Sequence, residues 1–80
     1  MIYYRQCLMK RKINDNVQAV TSWIPEKYAI KDKVIKLQSR ETKEWSDGWI
    51  VTMIGIKRID EKQVVVRSQD YKKTRKASDI

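Results

Sequence analysis

Asn14-Asp15-Asn16-Val17-Gln18-Ala19-Val20-Thr21-Ser22-Trp23-Ile24-Pro25 is the stretch on which the fold turns. Side chains alternate across an extended strand, so Val17, Ala19, Thr21 and Trp23 share one face and Gln18, Val20, Ser22 and Ile24 the other. Asn and Asp tolerate left-handed backbone, which predicts a hairpin turn at Asn14–Asn16. Pro25 has no amide to give to a ladder, so the strand stops there. The Glu26-Lys27-Tyr28-Ala29 that follows suits a single helical turn with Pro25 at its first position.

Working outward, residues 1–13 alternate loosely, with Ile2, Tyr4 and Leu8 on one parity and Tyr3, Cys7 and Met9 on the other. That mixture predicts a long strand, covered on both faces or carrying a bulge. Downstream, Lys33–Leu37 reads as a third strand. Asp47-Gly48 reads as a turn, because glycine takes positive φ without steric cost. Gly48–Ile54 is then a fourth strand closed by Gly55. Lys57–Lys62 reads as a charged turn, and Gln63–Arg67 as a fifth strand around Val64, Val65 and Val66. The expected fold is all-β: a small five-stranded SH3-like barrel or a bent antiparallel sheet. Residues 1–68 form the β domain, and 69–80 a basic C-terminal tail, mobile or in a short helix.

Composition narrows the function classes. The chain has 80 residues, one cysteine and no histidine, and a net charge of +8 from 18 Lys and Arg against 10 Asp and Glu. Without histidine the commonest general base and metal ligand are missing, and no glycine-rich phosphate loop is present. The expectation is a binding protein and not an enzyme, with no cofactor and no metal. Cys7 permits no internal disulfide and is expected buried, with Met9 and Met53 filling gaps in the same core. No stretch is long and apolar enough for a membrane span, so no membrane partner is expected.

Positive charge is the most informative feature. Lys10, Arg11 and Lys12 close the first strand, and Lys72, Lys73, Arg75 and Lys76 crowd the tail. Clustered Lys and Arg are what a phosphate backbone requires, since each contact releases condensed counterions. All the aromatic residues are Trp or Tyr, three and four respectively, so each has a polar handle as well as a ring. Trp23 and Trp49 are expected in the core. Trp45 is expected exposed and, with Tyr71 in the tail, offers a surface on which unpaired bases stack. The candidate nucleic-acid-binding residues are therefore Lys10, Arg11, Lys12, Lys72, Lys73, Arg75, Lys76, Trp45 and Tyr71. The partner is DNA or RNA or, alternatively, an acidic host protein met by a basic docking surface. Val64–Val66 on an edge strand could also pair with a second copy, giving a homo-oligomer.

Three stretches carry a resemblance: Trp23-Ile24-Pro25-Glu26-Lys27-Tyr28-Ala29, Asp47-Gly48-Trp49-Ile50-Val51, and Asp70-Tyr71-Lys72-Lys73-Thr74-Arg75-Lys76-Ala77-Ser78-Asp79-Ile80. In combination they resemble a group of short, uncharacterised proteins encoded by tailed bacteriophages. The resemblance runs from about Trp23 to the C-terminus. It implies a phage product in the host cytoplasm that binds host machinery or nucleic acid. It assigns no residue a role.

Overall fold

The computed structural model describes residues 2–62 and 73–79. Its strands are β1 (Tyr3–Ile13), β2 (Asn16–Pro25), β3 (Val34–Gln38), β4 (Trp45–Asp60) and β5 (Ala77–Asp79), with one 3₁₀ turn at Glu26–Tyr28. They form a single five-stranded sheet in the order β2-β1-β4-β3-β5, every neighbouring pair antiparallel. The all-β expectation holds in its bent-sheet form. The SH3-like barrel does not: β5 has three residues and lies on β3, so the edges β2 and β5 are not laddered together.

The β1–β2 hairpin forms as expected. Asn14 and Asp15 have φ of 50° and 68°, left-handed at both central positions as a two-residue hairpin requires, and Ile13 then faces Asn16. Pro25 ends β2, and Glu26 opens the 3₁₀ turn behind it.

β4 departs most from expectation. The strand starts at Trp45, before the Asp47-Gly48 pair, and runs through Gly55 and the charged Lys57–Asp60 segment. Asp47-Gly48 is a bulge and not a turn: Leu37 faces Ser46 and Ile35 faces Trp49, so β4 carries an extra residue there, with Gly48 at φ +77°. Against β1 the register slips twice more, between Leu8 and Met9 and between Arg5 and Cys7. Each added residue on one side of a ladder bends the strand and increases its twist, which curls this sheet around its core. Gly55 sits in the largest slip because a Cβ there would lie 3.0 Å from the Gln6 carbonyl oxygen.

Cys7 and Met9 of β1, Ile24 of β2, Ile35 and Leu37 of β3, and Trp49 and Val51 of β4 form the main core. Burying each such aliphatic side chain contributes roughly 1.5–3 kcal/mol. Strand alternation turns Trp23 to the opposite face from Ile24. There it packs on Ile59 and Tyr4 in a second, smaller cluster. Trp23, Trp49, Cys7 and Met9 are buried as expected. Met53 is not. It is 66% exposed, because the slip beside it turns it away from Val51 and the core.

The segment read as a tail contributes to the sheet. Thr74 forms a parallel bridge with Trp23, and Ala77–Asp79 pairs with Ile35–Leu37 as β5. A strand of only Ala-Ser-Asp has no apolar alternation by which to be recognised. The expected strand at Gln63–Arg67 and its edge pairing lie outside the described residues.

Candidate functional site

The start of β1, the 3₁₀ turn, the start of β4 and the residues leading into β5 meet at one end of the sheet. They enclose a groove of about 600 Å³. Tyr3, Tyr4, Tyr28 and Trp45 line it, with Lys27 and Lys76 as its cations. Pro25 positions this end, because stopping β2 there turns the chain and places Tyr28 across from Tyr3 and Tyr4.

Two of the rings already carry a cation. The Arg58 guanidinium lies 3.8 Å from the Tyr3 ring centroid, and Lys27 Nζ 5.0 Å from that of Tyr28. Trp45, at the groove's mouth, is 47% exposed, against 7% for each of the other two tryptophans. Of the three indoles it alone can meet a large planar ligand.

Among the described residues one carboxylate, Glu26, lines the groove, and its charge is matched twice over. Arg5 Nε and a terminal nitrogen of Arg58 each donate to it at 2.9 Å. The Arg5 hydrogen bond, aided by the positive charge of Arg58, holds the Glu26 carboxyl below its usual range against the opposing cost of desolvation. Arg5 also donates to the carbonyls of Gly55 and Ile56 at 3.2 Å, which ties the turn to the β4 bulge. With Glu26 neutralised, Lys27 and Lys76 set the groove's sign.

Trp45 also borders a hollow of about 330 Å³ on its other side, where it meets Arg11 and Lys36. Arg11 is held there by three contacts. Its Nε donates to Gln18 Oε1 at 2.7 Å, a terminal nitrogen donates to the Asp47 carbonyl at 3.5 Å, and the guanidinium stacks 4.7 Å from the Trp49 ring centroid.

The structure thus brings Trp45, Lys76 and Arg11 of the sequence candidates to one connected surface, with Arg75 beside Lys76. Lys10 and Lys12 lie away from it, exposed on the β1–β2 hairpin, where Lys12 Nζ is 3.9 Å from Asp15. Lys73 is exposed beside the Trp23–Thr74 bridge. Tyr71 and Lys72 lie outside the described residues. Sequence reasoning missed Tyr3, Tyr4, Tyr28 and Lys27. The available signal was that each tyrosine flanks a strand end or the Pro25 turn, the half-wet position where tyrosine serves as wall and donor together.

Compared with family models, curated proteins and solved structures, the chain matches none. No helix among the described residues is long and apolar enough to cross a membrane.

Proposed function

We propose that this chain is a small phage-type nucleic-acid-binding module of the host cytoplasm, a binder and not an enzyme, that takes single strands. Bases stack on Trp45 with the tyrosines of the groove as walls beside it, and Lys and Arg side chains around it meet the phosphates. One observation carries the reading: the exposed indole of Trp45 stands between two hollows in which cations outnumber carboxylates, Lys76 and Lys27 beside the ion-paired Glu26 on one side and Arg11 and Lys36 beside Asp47 on the other. Aromatic platforms set in a basic channel are how proteins hold unpaired bases with little sequence preference. Paired bases present no face to such a ring, so duplex binds more weakly. Titrating the protein with single-stranded DNA, duplex DNA and RNA at two salt concentrations, followed by fluorescence anisotropy, tests this. Single-strand preference with quenching of Trp45 emission upholds the reading; equal affinity for duplex, or no binding at low salt, overturns it.

A second reading, docking on an acidic host protein, is favoured by a different surface. On the sheet face away from the main core, Val34, Ile50, Lys10 and Ala19 form one cross-strand row, and Met53, Leu8 and Thr21 the next. Val34, Ile50 and Met53 are exposed there, apolar groups beside a lysine as protein interfaces use them. Met53→Asp with Ile50→Asp abolishes capture of such a partner and leaves single-strand binding intact.

A further inference from the structure

Beside the aromatic groove lies a second cleft, of about 310 Å³, which shares Tyr4, Pro25 and Lys76 with it. Among the described residues its walls carry Arg40, Lys43, Arg75 and Lys76 against one carboxylate, Glu61. Two of these cations are set in place by hydrogen bonds. A terminal nitrogen of Arg40 donates to both the carbonyl and the hydroxyl oxygen of Thr74, each at 2.9 Å, and Arg75 Nε donates to Ser22 Oγ at 3.1 Å. Thr74 and Ser22 are themselves buried, so the guanidiniums are anchored to the body of the sheet. Lys43 and Lys76 stand exposed at the mouth.

Arg40 and Arg75 satisfy buried hydroxyls, whereas Lys43 and Lys76 are exposed and add positive charge to the same cleft. A concave surface with an excess of positive charge also focuses its field on an incoming anion. The arrangement has the ingredients of a phosphate site: anchored guanidiniums, which present directed N–H groups, and ammonium groups, which serve as mobile point charges.

We propose that this cleft binds phosphate, and that it takes the sugar–phosphate backbone of the strand whose bases occupy the aromatic groove. The inference rests on the single-strand reading above. In a nucleotide one sugar separates base from phosphate, and here the ring-lined groove and the cation-lined cleft share a wall of Tyr4, Pro25 and Lys76, in which Lys76 is the cation. Lys76 meets the phosphate next to the base stacked on Trp45, and Lys43 meets another along the cleft.

The test uses the full chain, a thymidine decamer and an abasic DNA strand of equal length, titrated between about 50 and 200 mM salt. Each phosphate contact to a single strand contributes about 0.7 to the slope of log affinity against log salt, so Lys43→Gln with Lys76→Gln flattens that slope by about 1.4 for both strands. Trp45→Ala weakens the thymidine strand and leaves the abasic strand unchanged. Both lysines are exposed, so the double variant should melt with the wild type, which a thermal scan verifies. If wild-type protein binds the decamer and the double variant keeps the wild-type slope, the phosphate cleft is refuted and the stacking reading stands. If the abasic strand binds as tightly as the decamer, and the slope still flattens, stacking is refuted and the cleft stands. If neither strand binds, both are refuted.

Discussion

Trp23 and Thr74 pair in parallel: the Trp23 amide donates to the Lys73 carbonyl at 3.2 Å, and the Arg75 amide to the Trp23 carbonyl at 3.0 Å. A few residues later the same chain joins β3 as β5. Residues 73–79 therefore reach from β2 at one edge of the sheet to β3 near the other, and the two clefts open on either side of this strap at Lys76. The strap that bridges β2 and β3 thus also supplies a shared wall of the candidate site.

Deleting residues 77–80 should cost about 2 kcal/mol, a drop of roughly 10 °C in Tm for a domain this small. It removes three ladder pairs, the packing of Ala77 on the core and the 3.0 Å Lys33–Asp79 ion pair. Circular-dichroism melting checks it. An unchanged Tm would mean that β5 contributes no net stability.

The two glycines should respond oppositely to asparagine. Gly48 has open space around it but a φ of +77°, so alanine costs about 1–2 kcal/mol and asparagine less, since Asn tolerates left-handed backbone. At Gly55 the obstacle is the Gln6 backbone oxygen, 3.0 Å from an added Cβ, which cannot rotate away. Alanine there should cost about 1–3 kcal/mol and asparagine at least as much. Urea unfolding of the four variants separates strain from crowding.

Glu26 should make stability pH-dependent in a defined direction. Its folded pKa lies below the ordinary 4.5, chiefly through the Arg5 hydrogen bond. Its contribution is therefore fully present above the unfolded pKa and disappears as pH falls through the lower folded value. Glu26→Gln should be less stable than wild type at neutral pH, with the gap closing at more acidic pH. A gap that stays constant down the titration would show that Gln costs something other than charge.

Cys7 should be inert while the protein is folded. Burial pushes its thiol up to about 11, with the Arg5 charge opposing, so almost no thiolate exists at neutral pH. A disulfide-exchange reagent should react with it only at the rate of global unfolding, and at once in denaturant. Rapid labelling of native protein would show that this part of the core opens locally.

Trp45→Ala should weaken single-strand binding by the 1–3 kcal/mol typical of one base–aromatic stack, about 5- to 150-fold, with no more than about 0.5 kcal/mol lost in stability. Isothermal titration beside a thermal scan reads both quantities. A large stability loss with little affinity change would reassign Trp45 to a structural role.

What the sequence disclosed followed locality. The hairpin was legible because Asn14 and Asp15 state their backbone preference themselves, and the turn after β2 because Pro25 ends any ladder. The burial of Trp23 and Trp49, and the exposure of Trp45, could be weighed from their surroundings. β4 was misread because Gly48 and Gly55, which punctuate most strands, here serve bulges, and only the partner strand reveals whether a glycine is absorbed or terminates pairing. The aromatic groove was illegible for a related reason: Tyr3, Tyr28, Trp45 and Lys76 are distant in the chain and meet only through the sheet order.

That order also governs how quickly the protein can fold. β1, formed at the start of the chain, needs β4 for its second neighbour, and the pairing joins Tyr3 to Asp60. The hairpin with β2 can assemble in microseconds, but the central ladder must first bring those distant segments together against chain entropy. Folding should therefore be slow for so short a chain, in milliseconds or longer, with the β1–β2 hairpin waiting on β4.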